Sequence, residues 1–171
     1  MTEPAKIRDA LFGVAQRVCG EFSLTEGKHG RITAWMTLRD KASLVPCCRS
    51  LKDAGARLSM ITAMAGAGEG VDMIAYHFDL DGSTATVKVS VASGDSVETI
   101  VPIFRNADWH EREFIELYDI GVHGRADTRR LFLDESVDGQ VMERLIPLSV
   151  LSNAASTNML FERLLQDREV Q

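Results

Sequence analysis

The sequence predicts an α+β fold, a mainly antiparallel sheet with helices packed on one face. Three observations carry it. In residues 73–80 and 84–93, apolar and polar positions alternate with a strict period of two, the mark of strands buried on one face and wet or loosely covered on the other. Between them stands Asp81-Gly82, a pair suited to the positive φ angles of a tight hairpin turn. Helical periodicity brackets this run of strands, the element order of an α+β domain.

The elements follow in order. Pro4 suits the first position of a helix, where its missing N–H costs nothing. Ile7, Ala10, Leu11, Val14 and Val18 then share one face, and Gly20 is expected to supply a left-handed cap. Residues 31–38 read as a strand with Ile32, Ala34, Met36 and Leu38 inward. Ser43 caps a second helix with Pro46 in its first turn; Cys48, Leu51 and Ala54 share a face, and Gly55 ends it. Residues 57–64 form a mixed apolar strand, and a short strand at 97–103 is expected to continue the sheet after the hairpin.

A helix at 108–119 follows. Asp108 and Glu111 stand in capping-box relation, and Trp109, Phe114, Leu117 and Tyr118 supply its apolar side. Residues 121–147 are rich in charge and turn signals. The chain closes on an expected amphipathic helix carrying Leu160, Phe161, Leu164 and Leu165. This divides the chain into a domain over 1–133 and a partner-binding tail over 134–171.

Composition narrows the function. A formal charge of −6 argues against a dominant role on nucleic acid or anionic lipid, both of which call for a basic face. The cysteines are Cys19, Cys47 and Cys48; an odd count with two adjacent is a poor disulfide framework and fits a reducing compartment. The first residues lack a basic and then apolar leader pattern, and no apolar stretch approaches the ~18 residues of a membrane span. A soluble, cytoplasmic protein is expected, reaching a membrane only through a partner.

The common chemistries find little support. His29, His77, His110 and His123 lie in four different segments, and no Cys-x-x-Cys is present, so no metal or iron–sulfur site is expected. His110-Glu111 begins like a metalloprotease motif, but Phe114 occupies the place of the second ligand. Gly66, Gly68 and Gly70 precede a strand rather than a helix N-terminus, which favours a hairpin loop over a phosphate cradle. No nucleophile sits in a recognisable elbow. Neither a catalytic residue nor a cofactor is assigned.

The informative stretch is Trp109-His110-Glu111-Arg112-Glu113-Phe114-Ile115-Glu116-Leu117-Tyr118-Asp119-Ile120, followed in register by Gly124-Arg125-Ala126-Asp127-Thr128-Arg129-Arg130-Leu131-Phe132-Leu133. From the residues alone, Glu111, Arg112 and Glu113 point in three directions and cannot all face solvent if Trp109 and Phe114 turn inward. Glu113 is then placed to pair with Arg129 or Arg130, whose planar fork suits a carboxylate.

The two blocks together resemble the signature of the 30 kDa subunit family of complex I (NADH:quinone oxidoreductase): Trp-x-Glu-Arg-Glu in the helix, then Gly-His-Pro-Asp-x-Arg-Arg. Asp119 stands where the family usually has glycine, and Arg125-Ala126 replaces His-Pro. These departures lean toward the energy-converting [NiFe]-hydrogenase or formate hydrogenlyase branch over standard NADH dehydrogenase. The resemblance implies a non-catalytic subunit of the hydrophilic arm, without a cofactor, at the inner face of the cell membrane. Its implied partners are the [NiFe]-hydrogenase-like large subunit (49 kDa type) and the iron–sulfur small subunit. The implied interface and signature residues are Trp109, Glu111, Arg112, Glu113, Tyr118, Gly124, Asp127, Arg129 and Arg130. Two alternatives stand beside it: a free-standing α+β enzyme using His77 and His110 as acid–base groups, and a binding module outside any respiratory complex.

Overall fold

A computed structural model describes residues 4–64, 66, 70–92, 94–127 and 129–134. Of the tail expected over 134–171, residues 135–171, with the expected amphipathic helix and partner-binding role, lie outside the described residues.

Helix α1 (Pro4–Val18) opens on its proline and buries Ile7, Leu11, Val14 and Ala15. Strand β1 (Cys19–Glu26) follows without a turn and pairs with β2 (Ile32–Leu38). Gly20 is therefore not the left-handed cap expected of it. It lies in extended chain at an irregularity of the β1–β2 ladder, between Cys19 and Glu21. The sequence had hidden β1, because a glycine and two glutamates interrupt its apolar alternation.

Helix α2 (Leu44–Asp53) carries Pro46 in its first turn and buries Leu44, Cys47, Cys48 and Leu51. Ser43 makes no side-chain cap bond there, and Ala54 is exposed. Strands β3 (Arg57–Met64), β4 (Val71–Leu80) and β5 (Ser83–Ala92) complete a sheet of order β1-β2-β5-β4-β3. All neighbours are antiparallel except β2 and β5. Asp81 and Gly82 adopt φ of 51° and 85°, and Leu80 pairs with Ser83, so the two-residue hairpin turn forms as anticipated.

Register places the core. Met36, Val87 and Tyr76 lie in one row across β2, β5 and β4, and Ala34, Ala85 and Phe78 in another, all buried. Helices α1 and α2 belong to this same apolar cluster. The opposite face shows Trp35, with the Lys88 ammonium 4.7 Å from its ring centroid, in the row of Thr86 and His77.

The strand expected at 97–103 is only β6 (Ser96–Glu98), and it does not continue the main sheet. It pairs in parallel with β7 (Gly121–His123) as a separate ribbon. Residues 101–103 are turn, with Ile103 and Phe104 amides donating to the Ile100 carbonyl. Helix α3 (Ala107–Tyr118) springs from this turn and packs on β3.

Candidate functional site

Helix α3 is anchored by Ile100, Phe104, Ala107, Phe114 and Ile120, all buried. Among them sits Glu111, with 1 % of its surface exposed. A buried carboxylate is costly unless its lone pairs are satisfied, and here three groups converge on it. The Thr99 hydroxyl donates to Oε2 at 2.7 Å, the Ile100 amide donates to Oε1 at 2.8 Å, and Arg125 Nη1 donates to Oε2 at 3.0 Å. Burial pushes the carboxyl up from its ordinary range, and the Thr99, Ile100 and Arg125 contacts pull against that rise.

Arg125 is as buried as the acid it serves, with 2 % side-chain exposure. Its other terminal nitrogen donates to Asp108 Oδ1 at 2.6 Å, and its Nε donates to the Asp127 carbonyl oxygen. Asp108 and Glu111 therefore do not form a capping box. Asn106 holds the N-cap position without a side-chain cap bond, and the two acids share one guanidinium.

The outer side of α3 holds the connection that follows. Arg112 donates through Nε to the Arg129 carbonyl at 2.8 Å, and through Nη2 to that of Arg130. One turn on, Glu116 accepts the amides of Leu131, Phe132 and Leu133 at 2.7, 2.8 and 2.7 Å. Burial pushes the Glu116 carboxyl up, but these amides and the charge of Arg130 outweigh it and hold it below the ordinary range. Asp127 receives Arg129 bidentately, Nε at 3.0 Å and Nη2 at 2.7 Å, which drives its carboxyl well down.

The turn into this connection needs unusual backbone. Asp119 ends α3 in the left-handed region (φ 52°, ψ 30°), the conformation that the family's usual glycine adopts without strain. Gly124 has φ 75° and a Thr99 methyl 3.5 Å from where a Cβ would stand. The 3.5 Å is an ordinary contact, so it is the left-handed backbone, and not crowding, that favours glycine in the second block.

The expected residues thus divide. Glu111, Arg112, Gly124, Asp127, Arg129 and Arg130 all take part in shaping one helix-and-loop unit. Tyr118 lies half-buried at the far end of α3, facing β3. Trp109 is a correction: it does not turn inward, and 69 % of it is exposed. Phe132 is 58 % exposed, and together they flank an open groove of about 490 Å³ with Leu131, Arg112, Glu113 and His110. Glu113 is also a correction. It faces His110 Nδ1 at 3.6 Å, while the carboxylate that meets an arginine of the loop is Glu111, and that arginine is Arg125. Sequence reading missed Arg125, Asp108, Thr99 and Glu116. The available signal was Arg125 itself, a cation standing in the block where the resembling family has histidine.

The alternative acid–base groups are placed as follows. His77 Nδ1 and Nε2 face the hydroxyls of Thr86 (3.0 Å) and Thr62 (3.5 Å), and burial lowers its pKa. Neither contact is a carboxylate that would orient and charge the ring for proton transfer. Cys19, Cys47 and Cys48 are buried, and burial pushes the Cys47 thiol up to about 12, the character of an inert packing residue. Among the described residues, no group of three His, Cys, Asp or Glu side chains converges as a metal cage. No described helix is long and apolar enough to cross a membrane.

The sequence model of the respiratory-chain NADH dehydrogenase 30 kDa subunit family matches residues 38–150. The chain is 36% identical over 78 residues to the C-type subunit of NADH-quinone oxidoreductase from Rhodopseudomonas palustris (strain TIE-1), covering 44% of this chain and 38% of that protein. It is 33% identical over 78 residues to the counterpart from Rhizobium meliloti (strain 1021), covering 44% and 39%. The match spans under two fifths of the length of these curated relatives. A chain of the membrane-bound sulfane sulfur reductase (MBS), an archaeal respiratory membrane complex, shares the fold with a TM-score of 0.60 at 16% identity, over 77% of this chain and 79% of that one.

Proposed function

Because the chain belongs to the 30 kDa subunit family of respiratory-chain NADH dehydrogenase, we propose that it is a non-catalytic structural subunit of a membrane-bound oxidoreductase. It docks on a [NiFe]-hydrogenase-like large subunit in the hydrophilic arm, beside an iron–sulfur small subunit, on the cytoplasmic side of the membrane. It carries no redox centre, and supports electron transfer coupled to ion translocation by holding its neighbours in place.

One observation carries this reading: the exposure of Trp109 and Phe132 on a scaffold fixed by ion pairs and backbone hydrogen bonds. Large aromatics are enriched at interface hot spots, where they contribute area at little entropic cost. Glu111, Arg125, Arg112 and Glu116 hold the helix and loop against each other, so the aromatics are presented without ordering a segment on binding. The signature residues act behind the surface, and the aromatics make the contact.

The test is co-purification with the large subunit of the same organism. Trp109→Ala/Phe132→Ala is expected to weaken association by roughly 30-fold or more, as loss of a hot-spot pair does, while the melting temperature stays within a degree or two of the parent. Undiminished association of a folded double variant overturns the reading.

A further inference from the structure

The sheet has two edges, and they are built differently. The β1 edge carries Glu21 and Glu26 and an irregularity at Cys19/Glu21, features that discourage another strand from adding. Edge strand β3 is guarded only at its start, by Arg57 and an irregularity of its own. After Arg57 its sequence is Leu-Ser-Met-Ile-Thr-Ala-Met, without charge or proline. Past an irregularity between Leu58 and Met60, it pairs regularly with β4 through Met64. Met60 and Met64 are both close to half exposed. The Asn106 side-chain amide occupies the Leu58 carbonyl at 2.9 Å, at the start of the strand, and α3 then runs beside β3.

Between them lies a groove of about 300 Å³. Residues 60–63 all line it, although successive residues of a strand point to opposite faces, so the groove lies over the strand's edge. Its other wall is α3, through His110, Glu113, Phe114 and Tyr118. The acids of α3 are otherwise engaged: Asp108 and Glu111 by Arg125, and Glu116 by three backbone amides. Among the described residues, Glu113 has only the His110 ring at 3.6 Å, and it is 43 % exposed. It stands on the shared wall of this groove and of the Trp109–Phe132 groove.

We propose that the β3 edge receives an extended segment of the neighbouring large subunit as a sixth strand, lying along β3 beside α3, with a basic residue of that segment paired to Glu113. An open edge beside a helix is the geometry of strand addition: main-chain hydrogen bonds supply affinity, and the helix wall reads alternate side chains. The apolar floor of Met60, Phe114 and Tyr118 selects apolar residues in the segment, and the uncompensated carboxylate selects a cation. This rests on the docking reading above and extends the same interface from α3 onto the sheet.

Hydrogen exchange of the full chain, free and assembled with the large subunit, tests it. On assembly, amides of residues 60–64 are expected to gain protection on the order of tenfold or more, since strand addition hydrogen-bonds outward N–H groups. Met60→Lys/Met64→Lys and, separately, Glu113→Lys should each lose that gain and weaken association, with the free chain still folded. Assembly that protects residues 109–112 and 131–133 but leaves β3 unchanged overturns the strand proposal and keeps the docking reading. Assembly that protects neither, or no assembly at all, overturns both. Protection of β3 that appears in the free chain and rises with its concentration assigns the edge to a second copy instead.

Discussion

The sheet with α1 and α2, and the unit of α3 with residues 119–134, share one apolar core, but the second adds directional polar bonds to it. The first is apolar: Leu11, Met36, Leu44, Tyr76, Phe78 and Val87 are packed with scarcely any exposed surface. The second is pinned by a buried carboxylate, a buried guanidinium and backbone groups captured by Arg112 and Glu116. Hydrophobic packing is non-directional and accommodates exchange of one shape for a similar one. A buried ion pair is directional and contributes little net stability, yet breaking it strands a charge. The sheet therefore supplies stability, and the helix-and-loop unit supplies position. Trp109 and Phe132 stay outside because the loop is held by polar bonds that do not require their burial.

The largest expected effect breaks this contrast at Arg125. Arg125→Met keeps the unbranched stem of the side chain but removes the guanidinium, leaving Glu111 buried without its cation, and is expected to cost about 3–5 kcal/mol in urea unfolding. Met36→Leu, a comparable exchange in the sheet core, is expected to cost less than about 1.5 kcal/mol. Similar costs for the two would erase the distinction between the regions. Adding Glu111→Gln to Arg125→Met removes the stranded charge while keeping an acceptor for the Ile100 amide, so the double variant should be more stable than Arg125→Met alone. A strictly additive double-mutant cycle would show that the two side chains do not act as a pair.

A smaller and local effect comes from acid. The Glu116 and Asp127 carboxyls lie below their ordinary values in the folded chain. Their contribution is thus fully present above the unfolded values of about 4 and is lost as pH falls through the lower folded ones. Glu111 works in the opposite sense, because its raised value makes ionisation the costly state. Exchange protection of the Leu131, Phe132 and Leu133 amides relative to the unfolded chain, which reads Glu116, should therefore fall as pH drops below about 4, before that of the β4 and β5 amides. Equal pH dependence in both regions would mean that the loop has no anchorage of its own. Glu116→Gln should lower the loop's protection already at neutral pH and abolish its acid dependence.

The smallest effect is expected at Arg129 and Arg130. The Arg129 side chain is largely exposed, and its guanidinium bonds Asp127 within its own turn. Replacing both arginines with alanine should shift global stability by only about 0.5 kcal/mol, as exposed substitutions do. Association with the large subunit should weaken, though less than on losing Trp109 and Phe132. A cooperative loss of folding would move these arginines from the interface into the scaffold.

Much of the fold was legible because local rules acted without competition. Pro4 and Pro46 sit in first helical turns, Asp81-Gly82 makes the hairpin, and the inward residues of β2, β4 and β5 are those the alternation marks. Strand β1 was not legible, since its pairing with β2 overrides a weak local preference. The parallel contact of β2 with β5, across α2, β3 and β4, has no local signature at all.

For the site, the sequence by itself determined which residues matter as a set: the Trp109–Tyr118 helix, the Gly124–Leu133 block and the spacing that brings one against the other. Tertiary structure alone decided their roles. A helical repeat says that Glu111, Arg112 and Glu113 point apart, but it does not say which direction is inward. That depends on the turn at Ile100–Phe104 and on how α3 packs on β3. Once Glu111 faced the core, its carboxyl oxygens needed donors there, and Arg125 from the loop joined Thr99 and Ile100 in supplying them. Trp109 was left in solvent on the other side of the same helix, because the free energy of a charge is settled by what surrounds it in three dimensions.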